Sequence, residues 1–320
     1  MKRLVLIDGN ALLHRAYHAL PPMTTSSGEL VNATFGFTSM ILKALEDLKP
    51  DYWAIAWDEK GPTFRHQQYT QYKATRGPTD EALTNQRIRV FEISKAFNIP
   101  EFSLSGFDAD DLIGTLAIQA QKLKIENLKL EIVIVTGDRD IMQLINKNVK
   151  VFMPKKTLTD VGLYGEEEYA ARFGFSPRQL TDYKALAGDA SDNIPGVSGI
   201  GEASATKLIQ KFGTIEEIYK PKNLATLPER MQKLLAEGAE SAVMSKKLAT
   251  LDLKAPIKLD LKACVVHDFE TVKVTELFQE LEFRSLMSRI PGIDNRHPEL
   301  DSGFQEEMPK QVRHDDQSKQ

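Results

Sequence analysis

Only one of the 320 residues, Cys264, is a cysteine. A single thiol excludes an intrachain disulfide and any cysteine-based zinc cluster, and makes a reducing cytoplasm the expected compartment. No apolar run approaches the roughly 20 residues that a membrane helix needs. The opening MKRLVLIDGNALL has four consecutive apolar residues before Asp8 interrupts it, and no small-residue cleavage site follows, so it does not read as a secretion signal. A large excess of either charge is also missing: 45 acids face 41 Lys/Arg, for a net charge of −4. Residues 291–320 hold seven of those acids and four of the bases, leaving 38 against 37 in the rest. Setting nine aspartates aside as ligands leaves 29 acids and 37 bases, a surface of +8, so the global charge does not argue against a nucleic-acid partner.

Aspartates are present in a marked arrangement. Three apolar runs each end in one: RLVLID on Asp8, YWAIAWD on Asp58 and EIVIVTGD on Asp138. Short unbroken runs of this kind read as buried parallel strands, and ligands bind where such strands finish. Carboxylates gathered at one sheet edge repel each other, by roughly 1 kcal/mol per pair at ~4 Å in water and about 4 near a protein surface. A bound divalent cation offsets that repulsion.

Residues 1–58 read as strand, helix, helix, strand, with an amphipathic helix over Ala33–Leu48 stopped before Pro50. A helix from about Asp80 to Phe97, a short run near Ile99–Ser103, a helix opened by Asp108, a strand Glu131–Thr136 and a helix Arg139–Ile145 continue an α/β alternation. That pattern predicts a parallel sheet covered on both faces. Beyond about residue 165 the strand signal fades. Short helices over 166–173, 177–187, 202–212, 214–219, 228–236 and 240–251 predict a second, helical domain. A last helix over 268–288 is placed against the first domain, and from Pro291 onward the chain has too few large apolar residues to order itself, as a tail or a linker.

Three further acidic clusters accompany the strand ends: Asp108, Asp110 and Asp111 in GFDADDL; Asp138 and Asp140 in TGDRD; Asp189 and Asp192 in GDASDN. Each taken alone suits helix capping. Capping uses one or two carboxylates per helix, however, and nine aspartates stand in five places. Hard oxygens without His or Cys suit Mg²⁺ or Mn²⁺, and nine of them exceed one ion's coordination, so two or more ions are expected. Two ions ~3.5–4 Å apart serve phosphodiester hydrolysis without a protein nucleophile.

The segment KGPTFRHQQYTQYKATRGPT, residues 60–79, contains no acid. Arg65, Lys73 and Arg76 are candidates for phosphate, and Phe64, Tyr69 and Tyr72 for stacking on bases; the plain alternative is a solvated loop. In IPGVSGIGEASATKL, Gly196, Gly199 and Gly201 predict a tight turn with outward N–H groups before a helix carrying Lys207, a site for a DNA phosphate or a simple glycine turn between helices.

Together LIDGNALLHRAYHAL, AWDEKGPTFRHQQYTQYKATR, GFDADDLIGTLA, VTGDRDIMQL and YKALAGDASDNIPGVSGIGEASATKL resemble the 5′ nuclease family. The likeness is to its bacterial branch, found as the N-terminal domain of DNA polymerase I and as stand-alone flap endonucleases, and runs from residue 4 to about 290. The resemblance implies a PIN-like (resolvase-like) α/β nuclease domain over 1–165 with a helical arch at about 60–85. It also implies an all-helical helix-hairpin-helix-type DNA-binding domain over 166–262 and a C-terminal helix over 263–290. The implied activity is removal of 5′ flaps and RNA primers, exonucleolytic and endonucleolytic, with Mg²⁺ or Mn²⁺ and K⁺ at the glycine hairpin. Carried over by position, Asp8, Asp58, Asp108, Asp110, Asp111, Asp138 and Asp140 form a tight metal site, and Asp189 and Asp192 a more open one. Tyr72, Lys73 and Arg76 match the arch motif that steers the scissile phosphate. Arg15, Arg65, Lys184, Gly196, Gly199, Gly201 and Lys207 are placed as DNA contacts. The family usually has glutamate where this chain has Asp108, one methylene shorter. A monomer acting on duplex DNA with a 5′ end or flap, alone or beside a polymerase domain, is expected. The alternatives are a non-catalytic DNA-binding module of the same fold and a PIN-type ribonuclease.

Overall fold

The computed structural model describes residues 1–75, 77, 80–123, 129–155, 157, 158, 160–266 and 269–292. In the first half, β1 (Lys2–Asp8), α1 (Gly9–Ala19), α2 (Asn32–Leu48), β2 (Tyr52–Trp57), α3 (Phe64–Gln68), α4 (Glu81–Ala96), β3 (Glu101–Ser103), α5 (Ala109–Lys122) and β4 (Leu130–Val135) follow in order. Two further strands, β5 (Val149–Pro154) and β6 (Val161–Tyr164), were not legible as such in the sequence pattern. The six strands form one sheet in the order β3-β2-β1-β4-β5-β6. All neighbours are parallel except β5 and β6, which pair antiparallel.

Alternation along the strands sorts the core into two layers. Leu4, Leu6, Ala54, Ala56, Ile132 and Ile134 meet α5 on one face. Val5, Ile7, Trp53, Ile55, Trp57, Val133 and Val135 meet α1, α2 and α4 on the other. Both faces are covered, which is why β1, β2 and β4 read as unbroken apolar runs. Register brings their ends together: Asp8 lies opposite Ala56, and Ile7 opposite Val135, so Asp8, Asp58 and Asp138 leave the sheet at one edge. Gly9 permits this crowding, since a Cβ there would stand 2.5 Å from the Trp57 ring.

The helical half comprises α6 (Glu166–Phe173), α7 (Leu180–Ala187), α8 (Glu202–Phe212), α9 (Ile215–Ile218), α10 (Pro221–Leu224), α11 (Glu229–Glu237) and α12 (Ala239–Ala249). Its core residues Ala185, Leu208 and Leu235 belong to the same apolar cluster as α5 and the sheet, so the two halves share one interior. Residues α13 (Thr271–Glu280) and α14 (Arg284–Met287) replace the single helix expected over 268–288, with Glu282 at φ 58° breaking the run. Val274, Phe278 and Leu281 bury against the α2 and α4 layer, each contributing about 1.5–3 kcal/mol. The helix expected over Arg139–Ile145 is a 3₁₀ turn, Asp140–Leu144. Arg76 and the tail from residue 293 lie outside the described residues.

Candidate active site

A cavity of ≈ 1210 Å³ opens where the strands end, between the sheet and the helical half. Seven of the nine aspartates line it: Asp8, Asp58, Asp108, Asp110, Asp138, Asp140 and Asp189. Asn10, His14, Arg15 and His18 of α1, Lys73, and Tyr169, Arg172, Lys184, Glu202 and Thr206 of the helical half are among the other residues of its wall.

Each carboxylate is aimed by its neighbours. Asp8 Oδ1 accepts the Ala11 N–H at 2.9 Å, capping α1, and Oδ2 accepts the Thr136 hydroxyl at 2.7 Å. The capping reading is therefore correct for Asp8 but does not exhaust it, because each oxygen keeps lone-pair capacity. Asp58 accepts from Asn10 Nδ2 and from the Ala109 N–H, both at 2.7 Å. Asp138 Oδ1 accepts the Asp140 N–H at 2.9 Å, which tightens the turn after β4. Asp110 keeps part of its surface open to the cavity although it sits deep in the protein.

The electrostatics divide the cavity. Burial, with Asp138 and Asp58 adding repulsion, pushes Asp8 up to about 7. Burial and the charges of Asp138 and Asp8 hold Asp110 well above the usual carboxylate range. Asp140 rises to about 7 through burial and Asp138, against the pull of Lys184. At the other wall, Lys184 bridges Asp140 Oδ1 and Asp189 Oδ2. Although burial opposes it, that ammonium draws Asp189 down to about 2. Burial likewise opposes the lowering of Asp108, which Lys73 and Arg65 bring about.

Five expected assignments are corrected. Arg65 is 1% exposed and cannot reach a DNA phosphate. All five of its N–H donors are taken: Leu248 O at 2.9 Å, Thr250 O at 3.0 Å, Asp108 at 2.8 Å and both oxygens of Asp111 at 2.7 Å. Asp111 is accordingly no cavity ligand; it also accepts the N–H groups of Asp108 and Asp252, so its lone pairs serve the fold. Asp192 is buried away from the cavity lining, where it accepts the Tyr72 hydroxyl at 3.1 Å. Tyr72, 4% exposed, is packed with Ile194, Leu248 and Ala249, not offered to a base. Gly196 turns inward, its N–H donating to Ser245 Oγ at 3.0 Å. It has φ +63°, and a Cβ would stand 2.3 Å from Gly188 N, so it serves a backbone crossing.

Other expected residues do face the site or solvent. Lys73, at φ 54°, donates from Nζ to Asp108 at 2.9 Å and from its backbone to Asp192 O. Arg15 donates to Lys155 O at 3.1 Å. Gly199, Gly201 and Lys207 are exposed around the start of α8. Lys184, expected on DNA, is a counter-ion inside the cavity. Sequence reasoning missed Asn10 and Tyr169; Asn10 stands two residues after Asp8, a weak signal, and Tyr169 left none.

Among the described residues no group of three acid, His or Cys side chains stands ready to hold a metal ion. The donor chemistry nevertheless fits a divalent cation. The cavity collects hard oxygens with raised proton affinity, and the spread follows from their repulsion and from Lys184, Lys73 and Arg65 neutralising its flanks. A pH test follows. Asp8 and Asp140 have folded values of about 7 against an ordinary 3.8, so between these the folded protein holds more protons than the unfolded chain. Stability in chelator therefore falls as pH rises from about 4 to about 7 and levels off above. Tm measured in chelator is expected to be lower at pH 8 than at pH 6. Added Mg²⁺ is expected to raise it more at pH 8; the reverse order would refute the buried-charge account.

A family model described as 5′-3′ exonuclease, N-terminal resolvase-like domain, matches residues 3–174, and one described as 5′-3′ exonuclease, C-terminal SAM fold, matches 175–272. DNA polymerase I of Caldicellulosiruptor bescii is 42% identical over 290 residues, 90% of this chain and 33% of that one. DNA polymerase I of Bacillus caldotenax is 39% identical over 303 residues, 93% and 33% respectively. The chain thus spans about a third of the length of these relatives. T5 5′-exonuclease with bound divalent zinc has a TM-score of 0.60 at 21% identity, covering 88% of this chain and 99% of that one. The catalytic core of Rad2 in complex with DNA substrate has 0.58 at 16%, covering 91% and 92%. Those two likenesses establish the shared fold, a resolvase-like sheet domain joined to a SAM-like helical one. On the sequence matches across both halves, this chain belongs to the 5′-3′ exonuclease family.

Proposed function

We propose that the chain is a structure-specific, divalent-cation-dependent 5′ nuclease. It hydrolyses phosphodiesters at 5′ ends and 5′ flaps of duplex DNA, including RNA primers on DNA. The observation that carries this reading is the gathering of seven aspartates, from both halves of the protein, around one cavity at the sheet edge. Asp8, Asp58, Asp110 and Asp138 would hold one ion, and Asp140 and Asp189 would offer a second position. When bound, such ions supply activated water near neutral pH and offset charge on the phosphate. Lys73 and Arg15 then orient the phosphate from the rim. The exposed turn at Gly199 and Gly201 with Lys207 grips the duplex backbone, with K⁺ at the turn. The T5 and Rad2 structures, which contain divalent ions and DNA respectively, support this assignment. The domain limits near residues 165 and 262, action as a monomer in the bacterial cytoplasm and a polymerase domain or separate polymerase as partner belong to the same reading.

A 5′-flap duplex labelled at both strand ends tests it. Mg²⁺ or Mn²⁺ is expected to give a cut near the junction and chelator to abolish it. Cleavage indifferent to chelator sinks the proposal, and comparable turnover of single-stranded RNA favours a ribonuclease.

A further inference from the structure

Among the described residues, six buried side-chain nitrogen or oxygen atoms lack a hydrogen-bond partner. Three of them, Asn10 Oδ1, Arg15 Nε and Tyr169 Oη, belong to residues lining the one cavity. Tyr169 is the sharpest case. It is 0% exposed, and its ring is fixed against Phe173 at 4.5 Å and Phe175 at 5.9 Å, so the phenol cannot swing out to water. A buried hydroxyl without a partner is unfavourable, and a phenylalanine would pack there equally well. Lys184, Asp140 and Tyr183 line the same cavity as Tyr169.

Lys184 meanwhile occupies Asp140 and Asp189 with its ammonium. A divalent cation taking those oxygens repels the ammonium, which then needs a neutral acceptor close by and out of solvent. Its flexible four-carbon stem permits the move, and a phenol oxygen accepts as well as donates. We infer that Tyr169 is a positioning residue whose hydroxyl receives the Lys184 ammonium when a divalent cation takes Asp140 and Asp189. This rests on the proposed cation-dependent function and adds to it: entry of the ion exchanges one cation for another, and the displaced one is held in place beside the site.

Tyr169→Phe separates this role from a merely structural one, because the two predict opposite signs. In chelator the variant is expected to have a higher Tm than the wild type, since only an unsatisfied hydroxyl is lost. In a calorimetric Mg²⁺ titration without DNA its dissociation constant is expected to rise about tenfold, the loss of one hydrogen bond to a charged group. In a Lys184→Met background, Tyr169→Phe is expected to leave the constant unchanged. An unaltered Mg²⁺ constant in Tyr169→Phe, or a lowered Tm in chelator, overturns the inference while leaving the proposed function standing. Failure of the wild-type chain to bind Mg²⁺ or Mn²⁺ at all removes both.

Discussion

Arg65→Leu is expected to lower stability by about 3–5 kcal/mol, because it strands the buried Asp111 carboxylate without its cation and leaves Asp108 with Lys73 alone. For a protein whose total stability is about 5–15 kcal/mol this is a large share, and a fall in Tm on the order of 10 °C should follow. The two backbone acceptors, Leu248 O and Thr250 O, lose their donors as well, so the end of α12 loosens from α3. Adding Asp111→Leu should restore part of the loss, since a buried pair replaced by apolar groups is often no worse than the pair. A DNA-contacting arginine would behave differently. Its removal would leave Tm unchanged and reduce the slope of log affinity against log salt by about 0.9. Melting and salt-dependent duplex binding of Arg65→Leu decide between the two; an unchanged Tm defeats the structural assignment.

Asp110→Asn should have the opposite profile. Asp110 faces the cavity under the repulsion of Asp138 and Asp8, so neutralising it relieves the metal-free fold and should raise Tm in chelator. Cleavage of a 5′-flap duplex should nevertheless fall on the order of 10³-fold or more, because a hard anionic oxygen at the reacting centre is lost. Binding of the same duplex in chelator should stay within about twofold of the wild type, since the proposed backbone contacts at Gly199, Gly201 and Lys207 lie elsewhere. Asp111→Asn is the informative control: it breaks the Arg65 fork, so Tm drops, and its activity loss should track the fraction unfolded. Near-normal cleavage by Asp110→Asn would remove Asp110 from the site.

Much of the sheet was legible because its strands bury both faces and so carry unbroken apolar runs, each ending in Asp8, Asp58 or near Asp138. The helices over 166–173 and 202–212 were likewise readable, bounded by Gly165 and Gly174 and by Gly201 and Gly213. Strand β6 escaped because it has four residues at the sheet edge, and β5 because Lys150 and Pro154 interrupt its apolar run. In the acid-free segment, composition marked the cations but not their partners. Lys73 reaches the cavity wall, whereas Arg65, eight residues earlier, turns into the protein.

The sequence by itself determined the parallel sheet, the convergence of aspartates at its edge and the family likeness carried by the motifs. These rest on local facts: apolar periodicity and the position of an acid after a strand. Only the tertiary structure decided which aspartates are free. Asp110 and Asp111 are adjacent in the chain yet point to different worlds, one into the cavity, the other onto Arg65. The reason is helical geometry. Successive residues on α5 are turned about 100° apart, so one carboxylate faces the sheet edge while its neighbour meets α3 and the end of α12. Lys184 and Tyr169 share a cavity wall for a similar reason: α6 and α7 are brought together by packing, which no spacing of residues in the chain records.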